Sequence, residues 1–281
     1  MKKINKYLTG EKLIGNDFTI EEIEKWYAEE KEAYADLGSK DEEIYSYEYD
    51  VMNKFHGYNK LKEITIFNNV LGIGSAWGHE FIPIINKIRK LTIIEPSDQL
   101  VSLKLKHLKP TYIKPSLRGD IPFDSNSFDL ITCFGTLHHI PNVAYVLGEL
   151  IRGLKKDGYL LLREPIISMG DWRHKRIGLT KNERGIPVSF FRTEFSKYSV
   201  EIVSEKYCFT TPSLFQRIFG KILKKSIFSY KTYVLFDNFI SNLLKNNIHY
   251  YSTRNIDKIA PSSIFYVIKK TGIPTKSETN K

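Results

Sequence analysis

The sequence has few of the residues that build disulfide-stapled or membrane-spanning proteins. Only two cysteines, Cys133 and Cys208, occur in 281 residues, and neither belongs to a CxxC pair. This excludes a disulfide framework and a paired-cysteine metal site, so we expect no metal and a reducing, cytoplasmic setting. No uninterrupted apolar run approaches the roughly 18 residues that indicate a membrane span. The lysines near the start precede no apolar segment, so we expect no signal peptide.

The sequence also lacks internal repeats and low-complexity segments, while its hydrophobic content of 42% is sufficient for a sizeable core. The net charge of +10 is uneven, because residues 1–50 hold 7 Lys and 14 Asp or Glu (net −7), which leaves +17 on the rest. A basic body is compatible with nucleic acid, a membrane surface or an anionic substrate. The lysines are dispersed and no nucleic-acid motif is present, so nucleic acid is the disfavoured partner. The oligomeric state stays open.

Two helices are predicted in an N-terminal extension, residues 1–60. The first begins at a capping box, Thr19 with Glu22, and ends at Gly38. The second covers the tyrosine-rich stretch 41–58. We expect this extension either to act as a lid over a site or to contribute its aromatic residues to the core.

From residue 64 onwards, short apolar runs alternate with segments of helical periodicity, among them 81–90, 97–107 and 142–156. This alternation predicts an α/β fold with a parallel sheet and helices on both faces. After Pro165 the pattern changes to a long loop (166–192), a strand (200–209), an amphipathic helical insertion (213–246) and a final strand (262–270). Residues 271–281 are predicted to be a flexible tail.

One short stretch, "VLGIGSAWGHE" at 70–80, predicts a strand that enters a glycine-rich turn. Gly72, Gly74 and Gly78 would let a ribose or phosphate approach the backbone, although three glycines alone are weak evidence. Glu95 ends the next apolar strand 21 residues after Gly74, near the spacing at which nucleotide-binding folds place a carboxylate on the ribose hydroxyls. The alternative is a solvated residue at the end of a strand.

The sequence then continues with "GDIPF", "FDLITCFGTLHHIPN" and "LIRGLKKDGYLLLREP". Over residues 66–165 the chain therefore resembles the class I S-adenosylmethionine-dependent methyltransferases, with a type 11 methyltransferase domain. The resemblance implies a Rossmann-like sheet of seven strands, the last antiparallel, in a domain spanning 61–270. It also implies S-adenosylmethionine as the cofactor, bound at the C-terminal ends of the strands.

The resemblance assigns the candidate site residues. The cofactor set is Gly72, Gly74, Gly78, Glu95, Asp120, Ile121 and Phe134. Two departures are visible, because Gly72 stands where an acid is usual and Ala76 replaces the middle glycine. We expect Ala76 to be accommodated if its φ is not positive, and Gly72→Asp to be tolerated. The site is interpreted as functional, and a catalytically silent cofactor-binding or scaffold protein is the non-enzyme alternative.

Methyl transfer to a hydroxyl needs a proton acceptor, and His138 or His139 is the candidate base beside the expected methyl group. The loop after the fifth strand holds polar residues that could bind a substrate: Glu164, Asp171, Trp172 and Arg173. A solvated loop closed by its own ion pairs is the alternative. The loop loosely resembles methyltransferases of bacterial polysaccharide pathways, so we predict O-methylation of a sugar, nucleotide-sugar or glycan-like molecule. A lipid or quinone-like acceptor, bound through 213–246, comes second and RNA third.

Overall fold

Seven strands form a single mixed sheet in the order β3-β2-β1-β4-β5-β7-β6. The computed structural model describes residues 6–34, 42, 45–176, 178–219, 223, 225–252 and 254–272. Strands β1 to β5 are parallel where they pair, and β7 is antiparallel to both β5 and β6. This confirms the predicted seven-stranded sheet. The strands are β1 Phe67–Ile73, β2 Ile88–Ile94, β3 Thr111–Ile113, β4 Phe128–Phe134, β5 Leu154–Pro165, β6 Val200–Cys208 and β7 Ser263–Lys270.

The first predicted helix begins at its capping box, after a short helical segment at 6–8. The Thr19 backbone N–H donates to Glu22 Oε2 at 2.9 Å, and the Glu22 N–H donates to Thr19 Oγ1 at 3.3 Å. These two bonds satisfy backbone donors that a helix N-terminus leaves without partners. The helices are α1 Ile20–Tyr34, α2 Asp50–His56, α3 Val143–Gly153, α4 Val188–Phe195, α5 Pro212–Phe219 and α6 Lys231–Leu244.

The second predicted helix is much shorter than expected. Only α2 is α-helical, and a 3₁₀ turn follows it at Tyr58–Leu61. Residues 45–49, which hold three tyrosines, are not helical, and positions 41, 43 and 44 lie outside the described residues. The three tyrosine rings instead contact other aromatic rings of the fold, so tertiary packing overrides the local helix propensity there.

The two predicted helices between the first three strands are also replaced by shorter elements. A 3₁₀ helix at His79–Lys87 joins β1 to β2, and its Pro83 lacks the N–H that an α-helix interior would use. Between β2 and β3 there is only a short 3₁₀ turn, Asp98–Leu100, and Lys106 then reverses the chain with a φ of 55°. The prediction of regular helices in both connections was therefore wrong.

Side chains alternate between the two faces of the sheet and build a core on each. On one face, Leu71, Ile131 and Leu162 belong to a cluster with α3 and α4, which confirms the helix predicted near 142–156. On the other face, Val70, Leu130 and Leu161 cluster with the 3₁₀ segment at 79–87. The sheet is thus covered on both sides, as a mainly parallel sheet requires.

The region after β6 contains the helices predicted for the insertion. Asp237 of α6 is buried and accepts the backbone N–H groups of Phe209, Thr210 and Thr211, which anchors this helix to the end of β6. The predicted loop 166–192 is irregular up to Pro187, where α4 begins. Among the described residues, no helix combines the length and apolarity needed to cross a membrane. Most of the predicted tail, 273–281, lies outside the described residues.

Candidate active site

The glycine turn follows β1 directly and has an unusual backbone. Gly74 and Gly78 have φ values of 61° and 77°, and Ala76 has a φ of 45°. The condition under which Ala76 was expected to be accommodated, a φ that is not positive, is therefore not met. Its left-handed conformation costs on the order of 1–2 kcal/mol for a residue with a side chain. Strain of this kind persists only where neighbouring contacts hold it.

Glu95, the residue after β2, supplies the contact that holds Ala76. Its Oε2 accepts the Ala76 N–H at 3.0 Å, and its Oε1 accepts the Ser97 N–H at 3.1 Å. Glu95 is almost completely buried, and burial raises its pKa although these two N–H groups act in the opposite direction. The predicted ribose acid therefore lies at the glycine turn, as expected, and also fixes the shape of that turn.

Gly72 lies where the acid was expected, and the space around it is filled. A Cβ at Gly72 would overlap Ser75 Oγ and lie 3.0 Å from the Phe81 ring. The carboxylate found here belongs to Glu80, whose Oε1 accepts hydrogen bonds from Ser75 Oγ at 3.1 Å and from Thr132 Oγ1. Burial raises the pKa of Glu80 to about 7. The expectation that Gly72→Asp is tolerated does not fit this packing.

Asp120 and Ile121 follow β3 at the same edge of the sheet. Asp120 accepts hydrogen bonds from the hydroxyls of Tyr145 and Ser116, which lower its pKa. Ile121 is buried, and its N–H donates to Glu149 Oε2 at 3.1 Å. Both residues are therefore held by side chains of α3, Tyr145 and Glu149.

Glu164, at the end of β5, organises the loop after β4. Its Oε1 accepts the N–H groups of Thr136 and Leu137 at 2.9 and 2.8 Å, and its Oε2 accepts the N–H of His138 at 3.3 Å. Glu164 is 0% exposed. In this structure the residue predicted to contact the substrate is committed to the protein backbone.

His138 lies between two carboxylates. Its Nδ1 is 2.8 Å from Glu164 Oε2, and its Nε2 is 3.4 Å from Glu183 Oε1. Burial disfavours the charged ring, but the two carboxylates outweigh it and raise the pKa of His138 to about 9. The pKa of Glu183 is lowered to about 2, against the effect of its burial, because His138 donates to it. His138 is thus a fixed imidazolium at neutral pH and has no lone pair to accept a proton.

The surroundings of His139, in contrast, favour the neutral ring. Its Nδ1 is 3.1 Å from Glu30 Oε2, and its carbonyl accepts the Trp26 Nε1–H at 2.7 Å. Burial and then the charge of His138, whose ring centre is 4.1 Å away, lower the pKa of His139. It is therefore neutral at pH 7. The tautomer that donates Nδ1–H to Glu30 carries its lone pair on Nε2.

The N-terminal extension and the loop after β5 meet at these histidines. Glu30 of α1 accepts hydrogen bonds from Thr180 Oγ1 at 2.8 Å and from the Asn182 N–H at 3.0 Å. Glu183, in the same loop, accepts the Thr180 N–H at 3.0 Å. Sequence reasoning missed both acids, because neither lies in a recognisable motif and their partners are distant in the chain.

The remaining residues predicted to bind the substrate belong to the loop after β5. Asp171 and Arg173 form an ion pair, with Asp171 Oδ1 2.8 Å from Arg173 Nε, and the Arg173 side chain is 45% exposed. The Trp172 ring contacts Tyr7 edge to face at 6.4 Å. In the structure this part of the loop is closed by its own ion pair.

Among the described residues, the single group with the arrangement of a metal-ligand set is His138, His139 and Glu183. Both ring nitrogens of His138 already face carboxylates, and this histidine is cationic. A metal ligand has to be a neutral imidazole, so the hydrogen-bonded arrangement competes with metal binding. The sequence-based expectation of no metal stays a prediction.

Part of the chain is similar to known proteins. Residues 71–162 match a family described as a methyltransferase domain. The uncharacterized methyltransferase YcgJ of Bacillus subtilis (strain 168) is 27% identical over 108 residues, which cover 37% of this chain and 43% of that protein. The matched part is thus less than half of the relative's length. Residues 71–162 thus form a methyltransferase domain, and the matches together support the class I S-adenosylmethionine-dependent type.

Solved structures agree with the fold of this methyltransferase domain. A candidate S-adenosylmethionine dependent methyltransferase from Listeria monocytogenes superposes with a TM-score of 0.54 at 13% identity, covering 79% of this chain and 98% of that one. An S-adenosylmethionine dependent methyltransferase from Mesorhizobium loti gives 0.50 at 12% identity, covering 75% and 94%. At these identities the likeness concerns the fold alone.

The cofactor of a class I methyltransferase domain is S-adenosylmethionine, and the residues of this chain fit it. A Cβ at Gly74 would lie 2.7 Å from the Thr136 side chain, so only glycine lets the turn pack this closely against the loop after β4. Each Glu95 oxygen accepts one backbone N–H and keeps a second lone pair that a ribose hydroxyl can use. Glycine turn, acid and loop after β4 converge where the strand order reverses between β1 and β4, the usual ligand site of such sheets.

Proposed function

We propose that the protein transfers the methyl group of S-adenosylmethionine to a hydroxyl of a sugar, nucleotide-sugar or glycan-like molecule. The observation that carries the proposal is the pair of neighbouring histidines after β4, of which one is a cation and the other is neutral. His139 is neutral and oriented by a carboxylate, as a general base must be. His138 is a fixed cation that holds the loop together.

In this mechanism bound S-adenosylmethionine supplies a methyl group on a positively charged sulfur. His139 Nε2 accepts the proton of the acceptor hydroxyl, and Glu30 stabilises the imidazolium that forms. The adjacent charge of His138 lowers the basicity of His139 but keeps it neutral before the reaction. Glu164 keeps the loop in position through its three backbone contacts.

A direct test incubates the protein with S-adenosylmethionine labelled in the methyl group and with fractionated cell extract, followed by identification of the labelled product. We expect an O-methyl group on a carbohydrate. A labelled lipid, quinone or RNA would refute the acceptor class while keeping the activity. Calorimetric binding of S-adenosylmethionine without turnover on any fraction would favour the catalytically silent alternative.

A lipid or quinone-like acceptor is the second candidate, and α6 favours it. This helix exposes four large apolar side chains at 41%, 42%, 60% and 60%, namely Leu235, Phe236, Phe239 and Leu243. Sedimentation with anionic phospholipid vesicles tests this candidate, with Phe239→Ser/Leu243→Ser as the variant. For a carbohydrate acceptor we expect little vesicle binding by either protein. Strong binding that the variant loses would favour the lipid acceptor.

We also propose a cytoplasmic location. Both cysteines are buried free thiols, which a reducing compartment maintains.

A further inference from the structure

Arg163 is a buried cation that forms no ion pair with a described acid. It lies near the end of β5 and is 7% exposed. The buried Glu80 interacts with it electrostatically, but the hydrogen bonds of Arg163 to described residues go elsewhere. Its neighbour Glu164 is committed to the loop after β4 through His138 and the backbone. A buried charge without a direct partner is costly, so proteins usually pair it with another residue or with a ligand.

The hydrogen bonds of Arg163 are few and weak. Nη1 donates to Asn53 Oδ1 at 3.3 Å and to Met52 Sδ at 3.9 Å. Nε and Nη2 donate to no described residue. An arginine carries five N–H donors in a planar fork, a geometry that suits a carboxylate or a phosphate. Part of this fork therefore has no acceptor in the described protein.

Arg184 shows what a structural arginine in the same fold looks like. It is 1% exposed, and its three nitrogens donate to four backbone carbonyls, those of Ile14, Leu137, His138 and Ile140. Burial lowers its pKa to about 10, which still leaves it charged at neutral pH. Arg163 is buried to a similar extent, but only its Nη1 donates to described residues, and none of its nitrogens is a fully enclosed atom without a partner.

Aromatic rings surround the Arg163 guanidinium. Its Cζ lies 4.1 Å from the centre of the Tyr49 ring, 5.6 Å from Phe134 and 5.7 Å from Phe209. Tyr49 comes from the N-terminal extension and Phe209 from the end of β6, so elements outside the cofactor-binding part form most of this surround. These rings attract the positive charge of the guanidinium and leave its N–H donors unused.

The position along the sheet separates Arg163 from the cofactor residues. Glu95 follows β2, the glycine turn follows β1, and Phe134 ends β4 beside the expected methyl group. Arg163 lies one strand further along the sheet than Phe134, because its Cα pairs with that of Phe134 across β4 and β5. It therefore lies on the side where an acceptor has to approach.

We propose that Arg163 binds a carboxylate or phosphate group of the methyl acceptor. The acceptor class is thereby narrowed to anionic carbohydrates, such as a uronic acid or a sugar phosphate. This inference rests on the proposed methyltransferase function.

The test uses calorimetry on protein saturated with S-adenosylhomocysteine, with glucose 1-phosphate, glucuronate and neutral glucose as probes. The wild type should bind both anionic probes more tightly than glucose. Arg163→Met should weaken anion binding about ten- to hundredfold, the range of a lost charge-assisted hydrogen bond. Arg163→Lys should weaken it less, since the charge remains but the fork is lost. The exposed Arg192→Met is the matched control and should change nothing.

Different failures are distinguishable. No binding of S-adenosylhomocysteine by the wild type would refute the proposed function itself. Cofactor binding without preference for the anionic probes, or with equal preference in Arg163→Met, would refute only the role of Arg163. Weaker binding of S-adenosylhomocysteine to Arg163→Met, with unchanged binding of 5′-methylthioadenosine, would assign the arginine to the cofactor carboxylate instead. Should Arg163→Met not fold, Arg163→Lys decides, and anion affinity equal to wild type would overturn the proposal.

Discussion

The glycine turn after β1 and the histidines after β4, which we propose as the cofactor side and the acceptor side, are held by contacts that span very different distances along the chain. On the cofactor side, Ala76 bonds to Glu95 across 19 residues and Ser75 to Glu80 across 5. On the acceptor side, His139 bonds to Glu30 across 109 residues and Thr180 to Glu30 across 150. The first set depends on one strand-turn-strand unit, whereas the second requires the whole fold. We therefore expect substitutions on the two sides to affect different properties.

The largest effect should come from Glu164, where the two sides join. Glu164→Ala leaves three backbone N–H groups and the His138 imidazolium without their acceptor. Breaking a buried charged pair in this way costs about 3–5 kcal/mol. Urea unfolding followed by circular dichroism measures the loss, with the exposed Glu201→Ala as control. A loss below about 1 kcal/mol, the range of exposed ion pairs, would show that the loop does not depend on Glu164.

Substitution of His139 should change the turnover rate without changing the affinity for the cofactor. His139→Ala should lower kcat about a hundredfold, as loss of a general base does, and leave cofactor affinity nearly unchanged. Because the pKa of His139 is lowered, the wild-type rate should be level near pH 7 and fall only below the ordinary histidine pKa of about 6.5.

The control for this pH profile is the neighbouring histidine. His138→Gln should keep the acid limb, because His138 with its pKa of about 9 does not titrate there, but should move the limb to higher pH, because the charge that lowers the His139 pKa is removed. Loss of the acid limb in His138→Gln, or its persistence in His139→Ala, would contradict the assignment of the base.

Glu95 tests the cofactor side. Glu95→Ala should weaken binding of S-adenosylmethionine by about 1.5–3 kcal/mol, the range for hydrogen bonds to a charged group. Part of this loss would come from the turn, since Ala76 also loses its acceptor. Calorimetry measures the affinity, and Glu63→Ala on the surface is the control. Unchanged affinity in a folded Glu95→Ala protein would remove Glu95 from the site.

The smallest of these effects concerns Gly72. Gly72→Asp should destabilise the fold by about 1–3 kcal/mol, the usual cost of overpacking, because the new side chain meets Ser75 and Phe81. Thermal unfolding measures the change. Gly72→Asp combined with Ser75→Gly and Glu80→Gln should recover part of the stability, since the carboxylate is moved rather than added. A thermal unfolding temperature equal to wild type in the single variant would show that Ser75 and Phe81 can move to accommodate the new side chain.

The cofactor residues were accessible from sequence because local rules govern them. Positive φ favours glycine at Gly74 and Gly78, and a strand-ending acid near a fixed spacing identified Glu95. Glu80 was not predicted as a site residue, because its position depends on the space that Gly72 leaves and on Thr132 from another strand. The left-handed Ala76 was missed for the same reason, because a tertiary hydrogen bond supports it.

The sequence by itself determined the α/β class, the strands of the sheet and the position of the glycine turn. Those properties follow from periodicity and spacing, which act over a few to about twenty residues. Only the tertiary structure decided which of two adjacent histidines is a cation and which is neutral, because their pKa values depend on Glu164, Glu183 and Glu30, brought together from distant segments. It likewise decided that all three nitrogens of Arg184 donate to described residues, whereas only Nη1 of Arg163 does. Charge state and hydrogen-bond partners are set by neighbours in space, and the order of residues along a chain does not specify them.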